Sequence, residues 1–409
     1  LNPENPQNKL DKTTTKSLNQ TTKPSQFIQL EQRSLLSLFA LGKLASVDAA
    51  ALGYIPMSFL KQTSLSRDQI LEDWFDNLAM WYCIMQTQLG RIGCLILPIF
   101  EDRLYRDSQK LLQLSVEALE MAGRIGAKTV SLTGLIPSAT DYGRAIVKAI
   151  EGRNDLPKIT TGHATTCATV VLTIKKILQV SHRSLEQEKV AFIGLGSVGI
   201  STLSLMLRSL PHPTVIILCD VYSKREFMEK IEQELVSAYG FQGQIRIAPS
   251  ASELPPEIYD ASLIIGATNV PDILDINRLK PGTLIVDDSG PHCFSSALAI
   301  KRFEQQKDIL FTEGGMLQAP HPIETVIYLP KAIDNSIDKH LWQGYSRQTN
   351  PLDITGCVMS SLLSSRFDDM EPTVGFLNLE TSFQHYQGLE QFGFQAADLH
   401  CDGYVLQIK

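Results

Sequence analysis

The residues best placed by type and spacing to do chemistry are three glycines in "KVAFIGLGSVGISTLSLMLRSL", Lys189 to Leu210. Gly194, Gly196 and Gly199 form G-x-G-x-x-G between a short apolar run and an apolar helical pattern. At such a junction the first glycine permits the tight turn. The second lets the backbone approach a pyrophosphate, and the third lets the helix pack on the strand. Ser197 and Val198 open the helix, whose free N–H groups and positive end favour a phosphate. An acidic residue, Asp220, closes the next apolar run, "TVIILCD", which is the context the motif requires. Asp220 would accept from the adenosine ribose and repel a 2′-phosphate, favouring NADH. Ser223, Lys224 and Arg225 follow at once and could hold that phosphate, favouring NADPH. The cofactor is therefore expected to be NADPH or NADH. Ala267 and Thr268, in "GATNVPD", are small enough to lie against its ribose or nicotinamide.

Further candidates stand at the ends of later apolar runs, where ligands of an open α/β sheet bind. "DDSGPHCF" offers Asp287, Asp288, Ser289, His292 and Cys293. A thiol beside an imidazolium has a lowered pKa, so Cys293 with His292 is a candidate nucleophile, the competing reading being a buried small residue on the loop. "EGGMLQAPHP" brings Gly314 and Gly315, which allow close backbone approach, and His321, read as a surface loop residue. His163, in "TTGHATTC", precedes a helical pattern whose dipole disfavours its imidazolium; it can serve as a neutral donor to a carbonyl oxygen, or be a capping histidine. Cys167, one turn on, reads as a small core residue.

These groups need a scaffold, and the rest of the chain supplies its pattern. The 409 residues suffice for two or three domains, and 44% hydrophobic with 20% charged residues fits a globular protein. A net charge of −7 disfavours nonspecific attraction to nucleic acid or anionic lipid. No apolar run reaches the roughly 18 residues of a spanning helix, and no secretory signal is visible. The seven cysteines are scattered without a CxxC, which reads as reduced thiols in a cytoplasmic protein. Residues 1–26 are rich in Asn, Gln, Lys, Thr and Pro, the composition of a disordered tail or linker. The start at Leu1 suits a piece of a longer chain as well as it suits processing.

From Phe27 the spacing predicts helices in "FIQLEQRSLLSLFALGKL" and "SRDQILEDWFDNLAMWYCIMQTQLG". "RIGCLILPIF" and "KTVSLTGL" predict strands, each followed by a helix, giving a small α/β domain over 27–160. A helix from about Ala164 to Val180 leads into a second domain, 161–335, with strands at "KVAFI", "TVIILCD", "QIRIA", "ASLIIGAT", "GTLIVDDS" and "DILFTEGGM". The fold class is α/β: a Rossmann-type doubly wound parallel sheet, a smaller N-terminal α/β domain, and C-terminal helices over 336–409. The last helices either close a domain or build a homodimer interface.

The order "ITTGHATTCATVV", "VAFIGLGSVG", "LIVDDSGP", "EGG" resembles the cyanobacterial long-chain acyl-(acyl carrier protein) reductases. "LPIFEDRL" and "KTVSLTGL" are similar to their substrate domain, and "TGCVMSSLLSSRFDD" and "GLEQFGFQAADLH" to their last helices, so the resemblance spans roughly residues 90 to 400. It implies reduction of a fatty acyl thioester to an aldehyde by a nicotinamide cofactor, usually NADPH. An acyl carrier protein delivers the substrate, and a cysteine takes the acyl group first. The chain departs from that pattern in three places. Thr283 stands where the family's cysteine is expected, the glycine turn is one residue shorter, and Asp220 replaces a basic residue. The departures leave three readings: direct hydride transfer, with Thr283 structural; a thiol such as Cys293 acting instead; or a fold retained for binding, scaffolding or another dehydrogenase reaction. An amino- or hydroxy-acid dehydrogenase would need a Lys–Asp pair in the cleft, which the strand ends do not offer.

Overall fold

A computed structural model of the chain describes residues 26–29, 32–329 and 350–408. The tail read at 1–26 lies outside them except for Gln26, as do 330–349. The glycine turn belongs to a six-stranded sheet whose pairs are all parallel. Its strands are β7 (Lys189–Ile193), β8 (Val215–Cys219), β9 (Gln244–Ile247), β10 (Leu263–Gly266), β11 (Leu284–Asp287) and β12 (Leu310–Glu313). Their order, β12-β11-β10-β7-β8-β9, reverses between β7 and β10 and opens a crevice at the carboxyl edge. β8, β10 and β11 are buried along their whole length, as unbroken apolar runs in a sheet covered on both faces should be. This is the expected doubly wound sheet.

The N-terminal part is a seven-stranded mixed sheet of β1 (Gln26–Gln29), β2 (Ala49–Ile55), β3 (Met80–Thr87), β4 (Gly90–Phe100), β5 (Thr129–Leu132), β6 (Lys158–Thr160) and β14 (Glu324–Leu329). Two elements differ from the spacing-based expectation, and one domain boundary moves. Residues 26–29 form an edge strand where a helix was expected, paired with β14. "MWYCIMQT", expected as helix, is β3; it forms a hairpin with β4 in which Thr87 faces Gly90. Gly93 of β4 leaves the room that the Trp81 ring fills. β14 follows the six-stranded sheet in sequence yet pairs antiparallel with β3, so the boundary drawn at 335 does not separate the two sheets.

The helix His163–Val180 joins them. Thirteen of its eighteen residues are buried, more than one amphipathic stripe, because it packs on helices Ser197–Ser209, Gly356–Arg366 and Leu379–Gln391. Its threonines bond back within the helix, Thr166 to Gly162 O, Thr169 to Thr165 O and Thr173 to Thr169 O, so burial leaves their hydroxyls satisfied. One core runs from β2 and β4 through this helix into the parallel sheet; a second lies on the other face of the N-terminal sheet under helix Ser108–Arg124. The C-terminal segment is not wholly helical. β15 (Asp353–Thr355) and β16 (Gln395–Ala396) flank β13 (Met316–Gln318), and β17 (His400–Cys401) pairs with β18 (Tyr404–Val405).

Candidate active site

The three glycines do different work. Gly194, at φ +91°, donates its N–H to Cys219 O at 2.9 Å, and a Cβ there would overlap the Ala267 carbonyl oxygen. At Gly199 a Cβ would overlap Gly194 O. Around Gly196 nothing lies within 4 Å of a built Cβ. Two glycines are thus required by the protein's own packing, and the middle one borders open space at the start of helix Ser197–Ser209. No side chain caps that helix. A cradle that a Cβ would fill, beside uncapped N–H groups, fits a dinucleotide pyrophosphate.

Asp220 braces this turn. Its Oδ2 accepts from Leu195 N–H at 2.8 Å and from Lys224 Nζ at 2.8 Å, and its Oδ1 from Val221 N–H at 2.7 Å. Lys224 therefore neutralises the carboxylate that was expected to repel a 2′-phosphate. Arg225 faces Glu229 along its own helix. Across the crevice Ala267 N–H holds Ile193 O, and Thr268 N–H donates to Ser289 Oγ at 3.1 Å.

His163 reaches the turn from the linking helix. Its Nδ1 lies 3.0 Å from Ser197 Oγ, and burial pushes its pKa down to about 4, so the ring is neutral at pH 7. The expected neutral imidazole is thus brought to the cofactor end of the crevice.

The pair expected after β11 is arranged differently. Asp287 is buried, and its Oδ2 accepts from His292 Nδ1 at 2.9 Å and Cys293 N–H at 3.1 Å, curling the loop back on the strand. That bond holds His292 well above the usual imidazole range. The loop's return leaves Cys293 at 0% exposure, its sulfur against Gly266. Burial and the Asp287 charge push the thiol well up, and the opposing effect of His292 is the smallest of the causes. The expectation of Cys293 as nucleophile and His292 as its activator is corrected: the thiol is a core residue and the imidazole is engaged elsewhere. Thr283 is also buried, at the amino end of β11, and donates to Lys280 O at 2.8 Å.

Two further groups bear on the crevice: Asp288, named among the candidates after β11, and Cys357, to which the sequence reading gave no role. Asp288 is half-buried beside Gly315, and burial, then Asp287 and Glu313, push its carboxyl up to about 8. Cys357 is the one cysteine of the seven that is not buried. It opens helix Gly356–Arg366, whose N-cap Thr355 makes no side-chain cap. Its Cα lies 3.0 Å from where a Gly162 Cβ would be, next to His163, and its carbonyl accepts from Ser131 of β5. Burial, the largest effect, raises the thiol overall; the Thr355 hydroxyl and the Gly134 and Val358 N–H groups favour the thiolate, while Asp288, when ionised, opposes it. The sequence signal was the "TGC" at the start of an apolar helical pattern. A cavity of about 380 Å³ is lined by Ile96, Thr133, Met316, Thr355 and Val358 among others, with Glu313 and His400 at its wall; Thr355 and Val358 flank Cys357 in sequence.

Neither a family model nor a curated protein matches the chain. Among solved structures it is similar to L-tryptophan dehydrogenase from Nostoc punctiforme, at 13% identity over 83% of this chain and 88% of that one, TM-score 0.32. A glutamate dehydrogenase aligns at 12% identity over 85% and 78%, TM-score 0.32. The Delta(1)-pyrroline-2-carboxylate reductase of Thermococcus litoralis, solved with NADH and L-proline, aligns at 20% identity over 32% of this chain and 36% of that one, TM-score 0.24. The fold assignment rests on the strand order itself. Among the described residues no helix is long and apolar enough to cross a membrane.

Proposed function

We propose that the chain is an NAD(P)H-dependent reductase of a carrier-bound acyl thioester, with Cys357 as acyl acceptor. The observation that carries this is the incompletely buried thiol at a helix start, between two backbone N–H donors and near the neutral His163 that touches the glycine turn. Gly196, Ser197 and Val198 would hold the cofactor pyrophosphate. Asp220 with Lys224 would meet the adenosine ribose, and Ala267 and Thr268 would border the nicotinamide half. The bound nicotinamide would supply hydride, so that thioester, NAD(P)H and a proton become aldehyde, thiol and NAD(P)⁺.

The chain's own groups would do the rest. The Cys357 S–H bond breaks with its proton passing to solvent as the sulfur attacks the acyl carbon; the carrier's sulfur leaves with the electron pair of the broken C–S bond and takes up a proton. Asp288, protonated at neutral pH, is the acid close enough to influence Cys357 and is the source of that proton. The N–H groups of Gly134 and Val358 suit a developing oxyanion as well as a thiolate. The cavity accepts the acyl chain.

The test is intact-mass analysis after incubation with an acyl-carrier thioester and no nicotinamide. Wild type, Cys293→Ala and Thr283→Val should each gain one acyl group, Cys357→Ser none, and NADPH should discharge the adduct. Turnover that survives Cys357→Ser would replace this route with direct hydride transfer. No nucleotide oxidation with any acyl thioester would overturn the reductase reading.

A further inference from the structure

Four electron-pair donors from three distant chain segments converge at the carboxyl edge of the parallel sheet. His292 Nε2 lies 3.7 Å from Cys401 Sγ, 3.6 Å from Asp402 Oδ1 and 3.7 Å from Glu313 Oε1. The ligand atoms of His292, Cys401 and Asp402 all fall within 4.8 Å of one another. We propose that His292 Nε2, Cys401 Sγ and the carboxylates of Asp402 and Glu313 form a zinc site that pins the C-terminal hairpin to the sheet.

Three arguments support it. The first is spacing. The two oxygens at 3.6–3.7 Å are beyond a good hydrogen bond to nitrogen. Metal bonds of about 2.0–2.1 Å to nitrogen, 2.3 Å to sulfur and 2.0–2.2 Å to oxygen give tetrahedral edges of roughly 3.3–3.6 Å. The three distances from Nε2 are slightly wider than those edges, and with His292, Cys401 and Asp402 within 4.8 Å of one another, closing around a metal takes side-chain movements of up to about 1 Å, with Glu313 swinging in as the fourth donor.

The second argument is orientation. His292 Nδ1 donates to buried Asp287 at 2.9 Å, which leaves the Nε2 lone pair facing the cluster. A carboxylate behind a ligating imidazole is the usual outer-shell support of zinc. Glu313 is steadied too, because its Oε1 accepts from Asp402 N–H at 2.8 Å.

The third argument is the turn. Asp402 and Gly403, at φ +48° and +77°, make the two-residue connection between β17 and β18. The left-handed turn lets consecutive residues, Cys401 and Asp402, aim at one point. Cys401 is buried while the Asp402 side chain is 58% exposed, so the site has a wet side for metal entry. One nitrogen, one thiolate and two carboxylates are a borderline donor set suited to zinc. The competing occupant of the same centre is a proton, making His292 an imidazolium among anions.

The test is cobalt titration of the full-length chain after chelator treatment, under reducing conditions. The expected result is one saturable cobalt per chain, with a near-ultraviolet thiolate-to-cobalt band that zinc abolishes. Cys401→Ser should lose the band, Asp402→Asn should keep it with weaker binding, and Asp287→Asn should weaken cobalt binding by about 10- to 100-fold. Chelation should lower the melting temperature of wild type and leave that of Cys401→Ser unchanged. No saturable binding in wild type, with His292 protonated on both nitrogens by NMR after zinc addition, would assign the centre to a proton and overturn the proposal. So would a thiolate band that survives Cys401→Ser or disappears in Cys293→Ala. Should Cys401→Ser fail to fold, Asp402→Asn and Asp287→Asn carry the same decision.

Discussion

The glycine turn permits a test in which folding and binding separate by position. At Gly194 a methyl group would meet the Ala267 carbonyl, and the backbone sits at φ +91°, where side chains are strained. Overpacking costs about 1–3 kcal/mol, and a left-handed non-glycine residue about 1–2 kcal/mol more. Gly194→Ala should therefore lose about 2–5 kcal/mol, and at about 2–4 °C per kcal/mol for a domain of this size the melting temperature should fall by roughly 4–20 °C. Gly199→Ala meets the Gly194 carbonyl without the strained φ, so overpacking alone applies and the fall should be smaller. Gly196 is different. Its φ of −76° and ψ of −167° suit any residue, and open space surrounds it. Gly196→Ala should leave the melting temperature within about 4 °C, since compatible Gly→Ala changes are worth about 0.4–1 kcal/mol. Gly196→Val should fold equally well and lose cofactor affinity by at least about tenfold, or 1.4 kcal/mol, because its branches occupy the pyrophosphate's place. The assay is scanning calorimetry for stability and titration calorimetry with NADH and NADPH. Unchanged affinity in Gly196→Val, or a Gly196→Ala protein as unstable as Gly194→Ala, would refute the division of roles.

Asp288 and Lys224 give the remaining tests. A carboxyl held at about 8 in the folded chain, against about 3.9 unfolded, keeps its proton longer when folded, so its contribution to stability falls as pH rises from about 4 to 8. Asp288→Asn should flatten the decline in melting temperature between pH 5 and pH 8, and identical declines in both proteins would sink that account. Lys224→Ala frees the Asp220 carboxylate and should shift the NADPH-to-NADH affinity ratio toward NADH by about tenfold; a ratio that does not move would show that the pair takes no part in choosing the nucleotide.

The parallel sheet was legible because five of its six strands are short apolar runs with glycine or aspartate at or just past the carboxyl end, and the inner strands β8, β10 and β11 are buried on both faces; β9, the edge strand QIRI, is the exception. The N-terminal sheet was less so. β2 is "AAALGYI", and alanine carries little strand preference; small residues are used there because helix Gly356–Arg366 packs directly on the strand. β3 mixes methionine and aromatics at spacings that also suit a helix, and only pairing with β4 and β14 decides its form. Among the site residues, adjacency in sequence misled for Cys293. The pattern "HC" suggested an activated thiol, but the Asp287 carboxylate takes both the His292 ring and the Cys293 N–H and turns the sulfur into the core. Partners that the sequence could not supply then decide the roles. His292 meets Cys401, 109 residues away, and Cys357 meets Ser131, 226 residues away, so neither spacing nor motif could place them. Position at a helix start located His163, whereas the sequence reading gave Cys357 no role. His163 and Cys357 both stand at helix starts, where free N–H groups face the crevice rather than the core, and both reach it, while Cys293 on a returning loop does not.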